Sequence, residues 1–199
     1  MADDSKTARF TTARKAMVDS QLRTSGVNAP FVLARMGSVP REDFVPEAQA
    51  AFAYMDRAVP LSGRSALPPP VVQGRMLEEA APALSDDVLL VDHAPSYLAE
   101  LLRPLVTSVT VISPEDAVKA SRKRTKHTLL IVHGAAEQLP DTLVKRLADD
   151  GRIVTGLFDR GVTRIAIGRK SDRDVAFYPV AEMGIPVLEE FAKPKAWSF

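Results

Sequence analysis

Five successive residues, Asp92-His93-Ala94-Pro95-Ser96, stand where this chain would be expected to do chemistry. They follow the apolar run Val88–Val91 and precede a helical pattern, so they read as the turn between a strand and a helix. In nucleotide-binding α/β proteins that turn is glycine-rich, because a missing Cβ lets backbone N–H groups approach a ligand at the helix N-terminus. No glycine occurs in this turn. Asp92 is expected to cap the helix starting near Pro95, as an internal carboxylate in place of a lost ligand; the other role open to it is catalytic base. His93 and His133 both fall at C-terminal strand ends and so face one crevice. Among the 3 histidines, His93, His127 and His133, no pair has helical i, i+4 spacing and none has an obvious carboxylate partner, so no metal centre is expected. With no cysteine, thiolate ligands, disulfides and a cysteine nucleophile are excluded. The basic run Lys119, Arg122, Lys123, Arg124 and Lys126 reads as cations offsetting a helix C-terminus, not as a phosphate contact.

The elements that must hold these residues follow from periodicity. Val88–Val91, Val106–Ile112, Thr128–Val132 and Ile153–Phe158 read as strands, separated by helices near Pro95–Arg103, Pro114–Lys123 and Pro140–Ala148. This is the βαβ rhythm of a mostly parallel sheet covered by helices on both faces. Thr163–Arg169 and Asp174–Pro179 read as an antiparallel hairpin. Ahead of the sheet, Thr12–Thr24 has apolar residues at helical spacing before Gly26. Asn28 is expected to cap a second helix through Met36, and a third runs from near Pro46 toward Tyr54. Ala58–Leu61 reads as a short strand and Pro68–Pro70 as a stiff entry to a further helix. Met17, Met36, Met55 and Met76 are assigned to the core. The 199 residues fit one domain, with residues 1–80 forming an N-terminal helical layer and short strand, and 81–199 the core sheet. A net charge of +1, with 46% hydrophobic and 26% charged residues, leaves no electrostatic footprint for nucleic acid. The start, MADDSKTARF, has no export core and no apolar run approaches membrane-spanning length, so a cytoplasmic protein without membrane contact is expected.

Several stretches carry a resemblance. MVDSQLRTSGV (17–27), VPREDFVP (39–46), AYMDRAVPL (53–61), RMLE (75–78), VLLVDHAPSY (88–97), LLIVHGAAEQLPDTLVKRLADDGRIV (129–154) and the ending FAKPKAWSF are similar, in order and spacing, to the protein-L-isoaspartate O-methyltransferases, in an alphaproteobacterial-type variant. The resemblance implies an α/β fold, a Rossmann-like sheet that binds S-adenosylmethionine, with an N-terminal helical layer and a C-terminal antiparallel hairpin. It implies methylation of isoaspartyl carboxylates. The family's loop resembles GTGSGY, so its glycines fall on Asp92, Ala94 and Ser96, and only Tyr97 is kept. The ribose-holding acid at the end of the second strand falls on Ser113, with Glu115 two residues late and directed away. The hydroxyl of a motif similar to TISQP falls on Pro68. A strand segment after Arg124 is missing, which shortens the sheet and leaves the second strand at its edge.

Two functions follow from the resemblance. The first is a protein-L-isoaspartate O-methyltransferase-like protein that is catalytically inactive and retained as a binding or structural protein. It has no catalytic residue, no metal and no cofactor; Asp92, His93, Ala94, Ser96, Tyr97, Ser113 and His133 are then remnants of the family pocket. In this reading Asp92, His93 and Pro95 fill the space of the cofactor's methionine part. The alternative is an active enzyme using S-adenosylmethionine in a divergent site. An unnamed protein partner or a second copy of the chain is open in either case; nucleic acid is not expected.

Overall fold

The computed structural model describes residues 2–63, 65–120, 125–172 and 174–194. Helix α1 (Ala2–Met17) continues through a π-helical stretch, Val18–Leu22, and a 3-10 turn, Arg23–Ser25. Gly26 ends it at φ 83°, a left-handed conformation that favours glycine. The helix starts well before Thr12, because its first turns carry helix-forming residues but no apolar stripe by which periodicity could find them. Helix α2 (Pro30–Ser38) is not capped by Asn28. Ala29 holds the cap position, and the Glu78 carboxylate accepts from the amides of Asn28 (3.2 Å) and Ala29 (2.8 Å). The expected third helix is two 3-10 turns, Arg41–Phe44 and Glu47–Phe52. Strands β1 (Val59–Pro60) and β2 (Ala66–Leu67) pair antiparallel and lead into α3 (Pro70–Ala80).

The main sheet has six strands: β3 (Asp87–Val91), β4 (Ser108–Ile112), β5 (His127–Ala136), β6 (Leu147–Asp159), β7 (Val162–Ser171) and β8 (Asp174–Glu182). Their order is β4-β3-β5-β6-β7-β8; the first four run parallel, and β7 and β8 follow antiparallel. The side-chain period of two along β3 builds both cores: Val88 and Leu90 join the layer of α1 to α3 with Tyr97, Leu98 and Leu101, whereas Leu89 and Val91 join the opposite layer with Leu143 and Phe191. The parallel α/β sheet with a helical layer and terminal hairpin is as the periodicity and resemblance implied. Among the described residues no strand lies on the free side of β4, so the second strand of the parallel core is an edge.

The connecting helices are shorter than expected: α4 is Tyr97–Leu102, α5 is Pro114–Ala117 and α6 is Asp141–Val144. Pro104 lies in the 3-10 turn Arg103–Leu105 that follows α4. Leu147 already pairs with His127, so β6 begins earlier than Ile153; its polar Asp149 and Asp150 hid that start. Met17, Met36 and Met76 are fully buried, but Met55 is 47% exposed, which corrects its assignment to the core. Residues 122–124 of the basic run, and the last five residues of FAKPKAWSF, lie outside the described residues. Among the described residues no helix is long and apolar enough to cross a membrane.

Candidate functional site

In an open parallel sheet, ligand sites lie beyond the C-terminal ends of the strands. Here those ends belong to β3, β4 and β5, and they carry Asp92 and His93, Ser113 and Glu115, and His133. Asp92 is buried, and its carboxylate is satisfied from within the chain. Its oxygens accept from the His93 amide (2.8 Å) and the Ser96 hydroxyl (2.5 Å), and Nδ1 of His133 lies 2.9 Å away, off the straight hydrogen-bond line. Burial works against the charge on Asp92, but His133, Ser96 and the His93 amide outweigh it and hold its pKa below the usual carboxylate range.

The cap of α4 is therefore Ser96, not Asp92: the Ser96 hydroxyl oxygen accepts from the Ala99 amide (3.0 Å), and Asp92 orients that hydroxyl. His133 also has the carboxylate partner that spacing did not reveal, as does His127, 2.9 Å from Asp87. Such pairs form across neighbouring strands, where sequence distance carries no signal.

Behind His133 a polar chain runs into the N-terminal layer. Arg41 is fully buried and donates to the Ala53 carbonyl (2.6 Å), the Pro68 carbonyl (2.5 Å) and Oε1 of Gln73. Because a guanidinium only donates, the Gln73 amide must turn its nitrogen toward Nε2 of His133, 2.9 Å away. Nε2 then accepts, and the imidazole proton sits on Nδ1, facing Asp92. Burial lowers the Arg41 pKa to about 10 against the opposing pull of Tyr97, Tyr54 and Asp56. The Arg41 guanidinium lies 5.2 Å over the ring of Tyr97, which is fully buried; burial pushes the Tyr97 phenol up to about 12. Sequence reasoning missed Arg41 and Gln73. Gln73 was detectable as a polar residue on the apolar face of α3, one turn from Met76 and Leu77. Pro68, which has no hydroxyl to offer, serves through its carbonyl.

The other expected residues are arranged differently. A cavity of about 270 Å³ remains at the strand ends, lined by Ser62, Ser65, His93, Glu115, His133 and Leu188 among others. His93 and His133 do share one crevice. His93 lines this cavity instead of filling it, and Pro95 and Ala94 are exposed, so of the three side chains expected to fill the ligand space only Asp92 is packed inward. Glu115 is not directed away; it faces the cavity, and a hydrogen bond with Ser113 lowers its pKa. Ser113 caps α5, accepting from the Asp116 amide (3.2 Å). Across the cavity the segment from Ile185 returns over β5, where the Ala135 amide donates to the Pro186 carbonyl and the Leu188 amide to the Ala135 carbonyl, both at 2.8 Å. Among the described residues no group of three His, Cys, Asp or Glu is placed to hold a metal ion.

A family model described as Protein-L-isoaspartate(D-aspartate) O-methyltransferase (PCMT) matches residues 12–129. A protein-L-isoaspartate O-methyltransferase of Methanospirillum hungatei is 26% identical, over 94% of this chain and 98% of its own length. The Gloeobacter violaceus protein of the same name is 30% identical, over 69% of this chain and 79% of its own. Among solved structures, a Plasmodium falciparum protein described as a protein-L-isoaspartate O-methyltransferase, in complex with S-adenosyl-L-homocysteine, superposes with a TM-score of 0.71 at 15% identity, covering 91% of this chain and 98% of that one.

Proposed function

The chain belongs to the protein-L-isoaspartate O-methyltransferase family, and from that premise we propose that it is a member that no longer binds S-adenosylmethionine and keeps the fold as a binding or structural protein. The observation that carries this reading is the Asp92 carboxylate, 8% exposed and satisfied by its own chain. The cofactor's methionine end brings a carboxylate that needs N–H donors at the turn after β3. In this turn the His93 amide already donates to Asp92, and in the first turn of α4 the Ala99 amide donates to Ser96, so an incoming anion meets a like charge and no free donor at either amide. The side chains present do not fit the methionine end of the cofactor. Each lost interaction removes about 1–3 kcal/mol, and about 1.4 kcal/mol is a factor of ten in affinity.

A second reading, an active methyltransferase with a divergent site, is favoured by the name the relatives share and by Glu115, which faces the remaining cavity as a carboxylate acceptor could face ribose hydroxyls. Thermal melts separate the two. A ligand at ~100 times its dissociation constant stabilises by about 2.7 kcal/mol, which raises the midpoint by roughly 5–10 °C in a chain of this size. An unchanged midpoint with S-adenosylmethionine, and no methyl transfer to an isoaspartyl peptide, is the expected result. A rise accompanied by transfer establishes the second reading.

A further inference from the structure

We propose that the free edge of β4 is the seam of a homodimer, in which β4 of one copy pairs antiparallel with β4 of a second about a two-fold axis at Thr110. The inference is independent of whether the cofactor binds. Hydrogen bonding to β3 fixes which groups point outward. The Asp92 amide donates to the Ile112 carbonyl (3.0 Å), and where the strand begins the Asp86 carbonyl accepts from both the Thr107 (2.9 Å) and Ser108 (3.4 Å) amides; with the unbroken parallel register from Ser108 to Ile112, Ser108, Thr110 and Ile112 turn their backbone groups toward β3. Val109 and Val111 therefore turn both N–H and C=O to the free side.

That pattern is complementary to itself. With Thr110 on the axis, Val109 of one copy faces Val111 of the other and exchanges both hydrogen bonds with it, and the reverse pair does the same. Faces match as well as bonds. Val109 and Val111 pack at the rim of the core under α4, so pairing would bring the valines of both copies together on one face. Thr110 would oppose Thr110 on the other.

Within β4 itself the usual protections of an edge are missing. From Val106 to Ile112 the sequence VTSVTVI contains no charge and no proline, and no register shift interrupts the pairing of β4 with β3. The opposite edge strand, β8, carries Asp174, Pro179 and Glu182 and a register shift against β7. A foreign strand would satisfy the same hydrogen bonds, whereas a second copy supplies matching register, matching faces and an uncharged strand without any further partner. A seam of five residues is small, so association in the micromolar range is expected.

The cysteine-free chain gives a direct test. At the axis, a Thr110→Cys pair has Cα atoms about 4.5 Å apart, within disulfide range, whereas Val109→Cys places identical residues diagonally, beyond about 7 Å. Under mild oxidation Thr110→Cys is expected to give a covalent dimer much faster than Val109→Cys. Sedimentation of the unmodified protein should show a concentration-dependent dimer. Val111→Pro, which removes an outward N–H and no bond to β3, should weaken it about tenfold or more, with the melting midpoint checking the fold. Equal cross-linking of the two cysteine variants, or a dimer indifferent to Val111→Pro, overturns the proposal by placing the contact elsewhere. A monomer at all concentrations overturns it too; protection of the Val109 and Val111 amides from hydrogen exchange would then assign the edge to another segment of the same chain.

Discussion

Asp92 does locally what a bound anion would do from outside: it gathers the His93 amide, the Ser96 hydroxyl and His133 around one negative charge. Removing the carboxylate leaves those groups without their acceptor in a buried place, and the cost of an orphaned polar group exceeds the net gain from a formed hydrogen bond. Asp92→Ala is expected to cost about 2–4 kcal/mol in urea unfolding. His133→Ala should cost a similar amount, and the double variant should fall short of the sum by about 1–3 kcal/mol, because each single change already breaks the shared contact. Additive losses would mean that the 2.9 Å approach carries no energy. Asp92 was legible as an internal carboxylate in the turn after β3. Its partner was not, because His133 is brought to it by the parallel pairing of β3 with β5 and by no local signal.

At the scale of elements, the segment after β8 is held to β5 by both backbone and side chain. A Cβ on Gly134 would come within 2.6–2.9 Å of the Leu188 side chain, so the glycine is what lets Leu188 seat beside the strand end. Gly134→Ala should therefore destabilise the protein by about 1–3 kcal/mol through overpacking. In the Leu188→Ala background the added methyl meets open space, and the same substitution should cost little. If Gly134→Ala is equally damaging in both backgrounds, its effect is on the backbone of β5 and the packing account fails. Gly156 differs in kind, since a Cβ there would meet the backbone of Ala135 and Gly134 at 2.8 Å, which no side-chain truncation relieves.

For the whole molecule, both ends of β3 are pinned by carboxylates whose pKa values lie below normal. At Asp86 burial opposes the charge but the Ala83 amide, Arg152 and Thr128 outweigh it; at Asp87 Ser108 and His127 do so, and at Asp92 His133 and Ser96. A carboxylate depressed on folding contributes stability above its unfolded pKa of about 3.9 and loses it as pH falls through the folded value. The melting midpoint should therefore change little from about pH 7 to 5 and drop steeply below about pH 4, and Asp92→Asn, already less stable at neutral pH, should show a shallower drop. An equally steep drop in that variant would remove Asp92 from the acid response. The sequence by itself determined the family, the βαβ order, the edge position of β4 and the loss of glycine from the turn after β3. These are properties of types and spacing along the chain, and local periodicity and steric rules act on neighbours. Only tertiary structure decided that Ser96 and not Asp92 caps α4, that Glu115 faces the cavity, and that Arg41 and Gln73 reach His133 from the N-terminal layer. Those contacts join residues distant in sequence, where the need to satisfy every buried polar group is met by whichever strand or helix the fold sets alongside.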